Sequence, residues 1–159
     1  MVYADNVKDW NNLILTKAYL DLLNEDPEDV RHVFPHLPEN AVADTLPVAA
    51  KGQPKYLIKY PGKSGSVTDA VSTVNPQDND LCILRLSEVY LNAAEAAFKI
   101  GNTEKALTYL NAIVTRANPA KSVTSADLSL ERILKERRKE LVGEGHAFFD
   151  YMRNGKSVD

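Results

Sequence analysis

The sequence predicts a mainly α protein: a tetratricopeptide-like helical hairpin plus further helices, with a long irregular insertion and at most a short β element. Three observations carry this reading. Apolar residues recur at three- and four-residue steps over residues 5–24, 81–117 and 125–142. Six of the eight prolines and three of the seven glycines crowd into residues 34–80, where that periodicity is lost. Within that stretch KYLIKY, Lys55 to Tyr60, alternates and is rich in β-formers, so it reads as a short strand ended by Pro61-Gly62. The expected organisation is one domain over residues 1–159: helical over 1–33, irregular over 34–80, and a helical bundle over 81–159.

The first helix spans residues 5–24, with Trp10, Leu13, Ile14, Ala18 and Leu22 recurring along it. Asp26-Pro27 stops it, because a residue before proline avoids the α region. A short helical turn over Pro27 to Val33 follows, with Asp26 as its cap and Pro27 in its first position. Residues 63–79 read as an exposed loop of unusual length for a compact domain, the mark of a functional loop or of a surface that meets more protein.

Leu81 to Ile100 forms a long helix ended by Gly101, and Asn102 caps another that runs to Ala117 and stops at Asn118-Pro119. In the first of this pair Arg85, Glu88, Asn92, Glu95 and Lys99 fall on one polar stripe. The remainder is apolar or alanine, which predicts a helix mostly surrounded by protein. The pair has tetratricopeptide texture: Ala94 and Ala106 take small positions, Tyr90 and Leu110 large ones. Solenoids need about three such units, so either other units lie elsewhere or a third helix caps this one.

That third helix runs from Ser125 or Asp127 to Val142, with an apolar stripe through Leu130, Ile133, Leu134 and Leu141. Arg137 and Arg138 interrupt the stripe. A guanidinium at a buried face needs a carboxylate, so a structural ion-pair network is expected among Arg85, Glu88, Glu95, Arg137, Arg138 and Glu140, with Arg137 or Arg138 meeting Glu88, Glu95 or Glu140. Gly143-Glu144-Gly145 then breaks the helix, and a final one covers His146 to Arg153, closed by Asn154-Gly155. Phe148, Phe149 and Tyr151 are expected to anchor it, and His146 to cap or pack.

Composition excludes several classes. Net charge is −3, from 19 basic and 22 acidic residues, which is no nucleic-acid footprint. No apolar run approaches the ~20 residues of a membrane span. The start, MVYADNVKDW, lacks the basic and apolar regions of a signal peptide. The single cysteine, Cys82, sits in LCILRL and reads as a small buried hydrophobe. His32 and His36 have a metal-compatible spacing, but Pro35 between them disfavours the helix that spacing needs. No carboxylate pair stands out for glycoside hydrolysis, the glycines form no phosphate-binding pattern, and no cofactor is implied. Aromatics near irregular segments, Trp10, Tyr56 and Tyr60, are the candidate ligand-binding residues, each weighed against a packing role.

Two tracts in tandem, LRLSEVYLNAAEAAFKIGNTEKALTYLNAIVTRA (Leu84 to Ala117) and ERRKELVGEGHAFFDYMRNG (Glu136 to Gly155), resemble the SusD/RagB family of outer-membrane nutrient-binding lipoproteins. EDPEDVR at Glu25 to Arg31 and KYPG at Lys59 to Gly62 resemble it more weakly. Ala147 departs from the pattern, where the family often has arginine. The resemblance implies a non-enzymatic protein with a lipid anchor at the bacterial cell surface. Such a protein binds a glycan, oligosaccharide or peptide and partners a TonB-dependent, SusC-like transporter. It further implies that the chain corresponds to the family's C-terminal portion, without the lipidation cysteine and the early repeats, ending before the family's extreme C-terminus, with Met1 an artificial or mispredicted start. The alternatives are a tetratricopeptide-like protein–protein scaffold without a small ligand and, more distantly, a carbohydrate hydrolase.

Overall fold

The computed structural model describes residues 15–33, 35–36, 56–57, 59 and 83–156, with side chains placed over 15–32, 59 and 83–156. Trp10, Tyr60, Cys82, most of the proline-rich insertion and the expected first helix before Leu15 lie outside the described residues. The chain divides into two compact units, Met1–Asp21 with His32–Leu81 and Leu22–Arg31 with Cys82–Asp159.

In the first unit the described elements are few. Helix α1, Lys17–Asn24, begins here and continues into the second unit. It starts later than its periodicity implies, because Thr16 caps it: the Tyr19 amide donates to Thr16 Oγ1 at 3.2 Å and the Leu20 amide to the Thr16 carbonyl at 3.1 Å. Tyr19, Leu22 and Leu23 form its buried face, whereas Ala18 is exposed. Strands β1 (Pro35–His36) and β2 (Tyr56–Leu57) pair antiparallel, Pro35 opposite Leu57 and His36 opposite Tyr56. Of the strand expected at Lys55 to Tyr60, Tyr56 and Leu57 are described as strand, and Lys55, Ile58 and Tyr60 lie outside the described residues.

The second unit is helical. Helices α2 (Leu86–Lys99) and α3 (Thr103–Ala117) form an antiparallel hairpin. Gly101, at φ +78°, makes the turn, a conformation L side chains rarely adopt. Asn102 then caps α3, accepting from the Lys105 amide at 3.1 Å. Ala94, Ala106 and Leu110 are fully buried, and Tyr90 meets Tyr109 edge-to-face with ring centroids 6.0 Å apart. Small residues where two helices cross let their backbones approach, which is what the tetratricopeptide pattern needs.

Helix α4 (Leu130–Glu140) packs on α2 and more lightly on α3. It starts at Ser129, whose hydroxyl accepts from the Arg132 amide, and not at Ser125 or Asp127. Its Ile133 joins Leu91, Ala94, Leu110, Ile113, Val114 and Val123 in the core. Each large aliphatic there contributes about 2 kcal/mol of burial. Asn111 fixes the connection to α4 by exchanging two hydrogen bonds with the Val123 backbone, at 2.9 and 2.7 Å. Gly143 and Gly145 both adopt positive φ (79° and 80°), and α5 (His146–Arg153) follows.

The structure corrects three further expectations. The turn after α1 is a 3₁₀ segment over Val30–Val33 and does not begin at Pro27, because Asp29 accepts the Arg31 amide at 2.9 Å and starts it there. Phe148 and Phe149 do not anchor α5. They are 58% and 66% exposed, touching one another edge-to-face, while Asp150 is the buried residue of the helix. Nor is α2 enclosed all round: Leu86 and Val89 are exposed, as is Ile100 just after it.

Candidate functional site

In the second unit, a cleft of about 360 Å³ opens between the 25–31 segment, the 121–127 connection and α4. Its lining carries five acidic residues (Glu25, Asp26, Asp29, Asp127, Glu136) and five basic ones (Arg31, Lys121, Arg132, Lys135, Lys139), with Val114 and Val123 as its apolar part. The charges therefore balance locally.

Arg31 organises the floor. Only 3% exposed, it donates through Nε and Nη2 to the two oxygens of Asp29, at 2.8 and 2.6 Å. The same Nη2 lies 2.7 Å from Glu136 Oε1, and Nη1 lies 3.4 Å from Glu140 Oε2. The Arg31–Glu136 contact is an ion pair whose geometry falls short of a well-aligned hydrogen bond. Glu140 Oε2 also accepts from Arg116 at 2.6 Å, its Oε1 lies 3.4 Å from Arg85, and Glu136 Oε2 accepts from Arg132 at 2.8 Å. Glu136 and Glu140 are both nearly fully buried on one face of α4, which a buried carboxylate tolerates only when paired and hydrogen-bonded.

The titrations follow from this packing. Burial pushes the Asp29 carboxyl up, but the Arg31 hydrogen bonds and the charges of Arg31 and Lys139 outweigh it and hold it below its usual range. For Arg31, burial opposes the charge, and Asp29 and Glu136 more than restore it. Lys139 moves down: its burial outweighs the attraction of Glu136 and of Asp29, 3.9 Å away.

A second cluster joins α2 to the C-terminal tract. Arg137, 2% exposed, donates through Nε to Asp150 at 2.8 Å and through Nη1 to Asn92 at 2.6 Å. Arg153 pairs with both Asp150 and Glu95, Asn154 donates to Glu95 at 3.1 Å, and Lys99 lies 2.9 Å from it. Burial raises the Glu95 carboxyl, but these donors bring it down to about 2. Arg85 reaches Glu144 at 2.9 Å and the Glu140 carbonyl at 2.9 Å. His146 Nε2 sits 3.8 Å from Glu88 and 4.0 Å from Glu144.

The polar stripe of α2 is thus the seam that receives the C-terminal tract. The expected pairing of Arg137 or Arg138 with Glu88, Glu95 or Glu140 is replaced: Arg137 takes Asp150, and Arg138 reaches the Tyr151 hydroxyl at 3.4 Å. Asp150 lies one turn into α5, and the break at Gly143 and Gly145 folds that helix back to bring it there. Of the candidate ligand residues, Trp10 and Tyr60 lie outside the described residues, and Tyr56 is placed by its backbone in β2. His36 is placed likewise in β1. Sequence reasoning missed Asp29, Arg31, Glu136 and Lys139. Their signal was the acid–x–Arg spacing of Asp29 and Arg31, and the i, i+4 series Arg132, Glu136, Glu140. Among the described residues no group of histidine, cysteine and carboxylate side chains could hold a metal ion, and no helix is long and apolar enough to cross a membrane.

Residues 44–159 match the model of the SusD family. The chain belongs to the SusD family. A solved SusD superfamily protein of Bacteroides thetaiotaomicron is 49% identical, with a TM-score of 0.81 over 96% of this chain and 32% of that one. A "Putative sugar binding protein" of Bacteroides vulgatus is 39% identical, with a TM-score of 0.72 over 97% of this chain and 30% of that one. A SusD superfamily protein of the same organism is 37% identical, with a TM-score of 0.74 over 98% of this chain and 35% of that one. The chain spans about a third of the length of these SusD-type structures. Among curated proteins none matches it.

Proposed function

We propose that this SusD-family chain is a non-enzymatic glycan- or oligosaccharide-binding module of a SusC/SusD-type nutrient uptake complex. Its parent protein is lipid-anchored at the bacterial outer membrane and faces the cell surface, with a TonB-dependent transporter as partner. The observation that carries the reading is the family membership, joined to 39% identity with the Bacteroides vulgatus protein named for sugar binding. The cleft supports it. A neutral polyhydroxyl ligand is recognised by many donors and acceptors without a net field, and the accessible charged residues of the lining, Glu25, Asp26, Asp127, Lys121, Arg132 and Lys135, offer both in balance.

Catalysis is poorly served there. Glycoside hydrolysis needs a carboxyl kept protonated near neutral pH beside an ionised one. Among the described residues the two carboxyls that clearly shift, Asp29 in the cleft and Glu95 outside it, both move down under guanidinium contacts. Glu136 and Glu140 are engaged by arginines.

Calorimetric titration of the 159-residue chain with a panel of neutral and acidic oligosaccharides tests the reading. Saturable heat with a neutral member is expected, with no turnover of the sugar. Lys121→Ala, at an exposed cleft residue, is expected to weaken that binding roughly tenfold, the scale of one hydrogen bond to a charged group. Binding of protein partners with no member of the panel bound would favour the scaffold reading.

A further inference from the structure

We infer that Asn154 is a self-modification site: deamidation through the Gly155 amide turns the side chain that holds Glu95 into a carboxylate and releases the end of α5. The sequence has one Asn-Gly pair, Asn154-Gly155, and its eleven other asparagines each precede a residue with a side chain. That difference decides reactivity. An asparagine deamidates when the next backbone nitrogen attacks its Cγ, and a side chain on the next residue obstructs the approach. Glycine presents no such obstacle. Gly155 is exposed, and a Cβ placed on it would meet nothing within 4 Å, so solvent surrounds this turn.

The reaction balances with water alone. Hydroxide takes the proton of the Gly155 N–H, the nitrogen bonds to Asn154 Cγ, and the Cγ–Nδ2 bond breaks. Nδ2 leaves as ammonia with a proton from water, and a succinimide ring remains. Water then opens the ring at either carbonyl. One opening gives aspartate. The other gives iso-aspartate, in which the main chain runs through Cγ and gains a methylene.

The fold restrains this reaction and gives it a consequence. Asn154 is the C-cap of α5, and both polar atoms of its amide are engaged. Nδ2 donates to Glu95 Oε1 at 3.1 Å and to the Asp150 carbonyl at 2.9 Å, and Oδ1 accepts from Lys99 Nζ at 2.7 Å. The Gly155 amide donates to the Met152 carbonyl at 3.2 Å. Cγ cannot swing onto that nitrogen while these bonds hold, so the reaction runs from conformations in which the end of α5 has frayed. Afterwards an acceptor oxygen stands where Nδ2 stood. It faces Glu95 and the Asp150 carbonyl with no proton between them, and the two carboxylates repel. In the iso-aspartate form the added methylene also displaces the bonds from the Asn154 and Lys156 amides to the Tyr151 carbonyl, at 3.1 and 2.9 Å. Glu95 keeps Lys99 and Arg153, so the release is confined to the end of α5.

The test incubates the 159-residue chain in mildly alkaline buffer, folded and in urea, and follows iso-aspartate by peptide mapping and isoaspartyl-methyltransferase labelling. Product is expected at Asn154 ahead of the eleven other asparagines. Its rate is expected to be roughly ten- to a thousandfold lower folded than unfolded, the range that two or three net hydrogen bonds impose. Lys99→Ala removes the donor to Oδ1 and is expected to raise the folded rate several-fold, with the unfolded rate unchanged. Ile133→Val, which weakens the core away from α5, is expected to leave the folded rate as it is, because the opening is local. Asn154→Gln, which would have to close a larger ring, abolishes the product. The deamidated chain, separated by its extra charge, is expected to exchange its α5 amides several-fold faster than the parent, with α3 unchanged. Folded and unfolded rates within a few-fold of each other overturn the proposal, as does a folded chain that yields no product at Asn154 within that range. So do equal effects of Lys99→Ala and Ile133→Val, or unchanged α5 exchange after deamidation.

Discussion

At Arg31 one guanidinium faces Asp29, Glu136 and Glu140, all buried. Arg31→Ala leaves three buried carboxylates short of their shared counter-charge. Removing one partner of a buried pair costs about 3–5 kcal/mol, so a denaturant titration should show a loss of that size. Ser87 presents the opposite case. Its hydroxyl is buried with no hydrogen-bond partner, so Ser87→Ala removes a desolvation cost of about 1 kcal/mol and favours the helix. Thermal unfolding should rise by about 2–4 °C. Glu95 sets a pH dependence. Its pKa falls from 4.5 to about 2 on folding, so its contribution, up to about 3 kcal/mol, is complete above about pH 4.5. It is lost as the pH falls from there toward 2. Glu95→Gln should flatten the acid limb of a stability–pH curve over that window.

Elements were legible where a local signal sets them. Asn102, Gly101 and Asn118-Pro119 bound α3 in sequence as in the structure. The polar stripe of α2 was legible as a stripe, but its partners Arg153 and Asn154 come from a segment over fifty residues away, and periodicity carries no such distance. Helix α5 was misread for a physical reason. Hydrophobicity points Phe148 and Phe149 inward, yet Asp150 and Asn154 share a face one turn apart, and their bonds to Arg137, Arg153 and Glu95 fix the helix rotation. The two phenylalanines then turn outward. The break before α5 depends on Gly145 at φ +80°, where a Cβ would meet nothing within 4 Å. Gly145→Ala should therefore cost the backbone term alone, about 1–2 kcal/mol, readable as a lower unfolding midpoint.

For the whole molecule, the helical half was predicted from pattern and family resemblance, and the SusD-family match over residues 44–159 agrees with that resemblance. The cleft was not predicted. It forms because the 25–31 segment, over a hundred residues from Glu136 and Lys139, is drawn to α4 by ion pairs, and nothing local in the sequence marks that meeting. The charged C-terminal tract, the most distinctive stretch of the sequence, is accounted for as a structural clasp whose charges point at one another. A double-mutant cycle on Arg137 and Asp150, each replaced by alanine singly and together and followed by urea unfolding, tests that claim most directly. A coupling energy of about 2 kcal/mol or more is expected for a buried, hydrogen-bonded pair. Coupling near zero, with both single variants as stable as the parent, would contradict it and return this tract to the search for a ligand site.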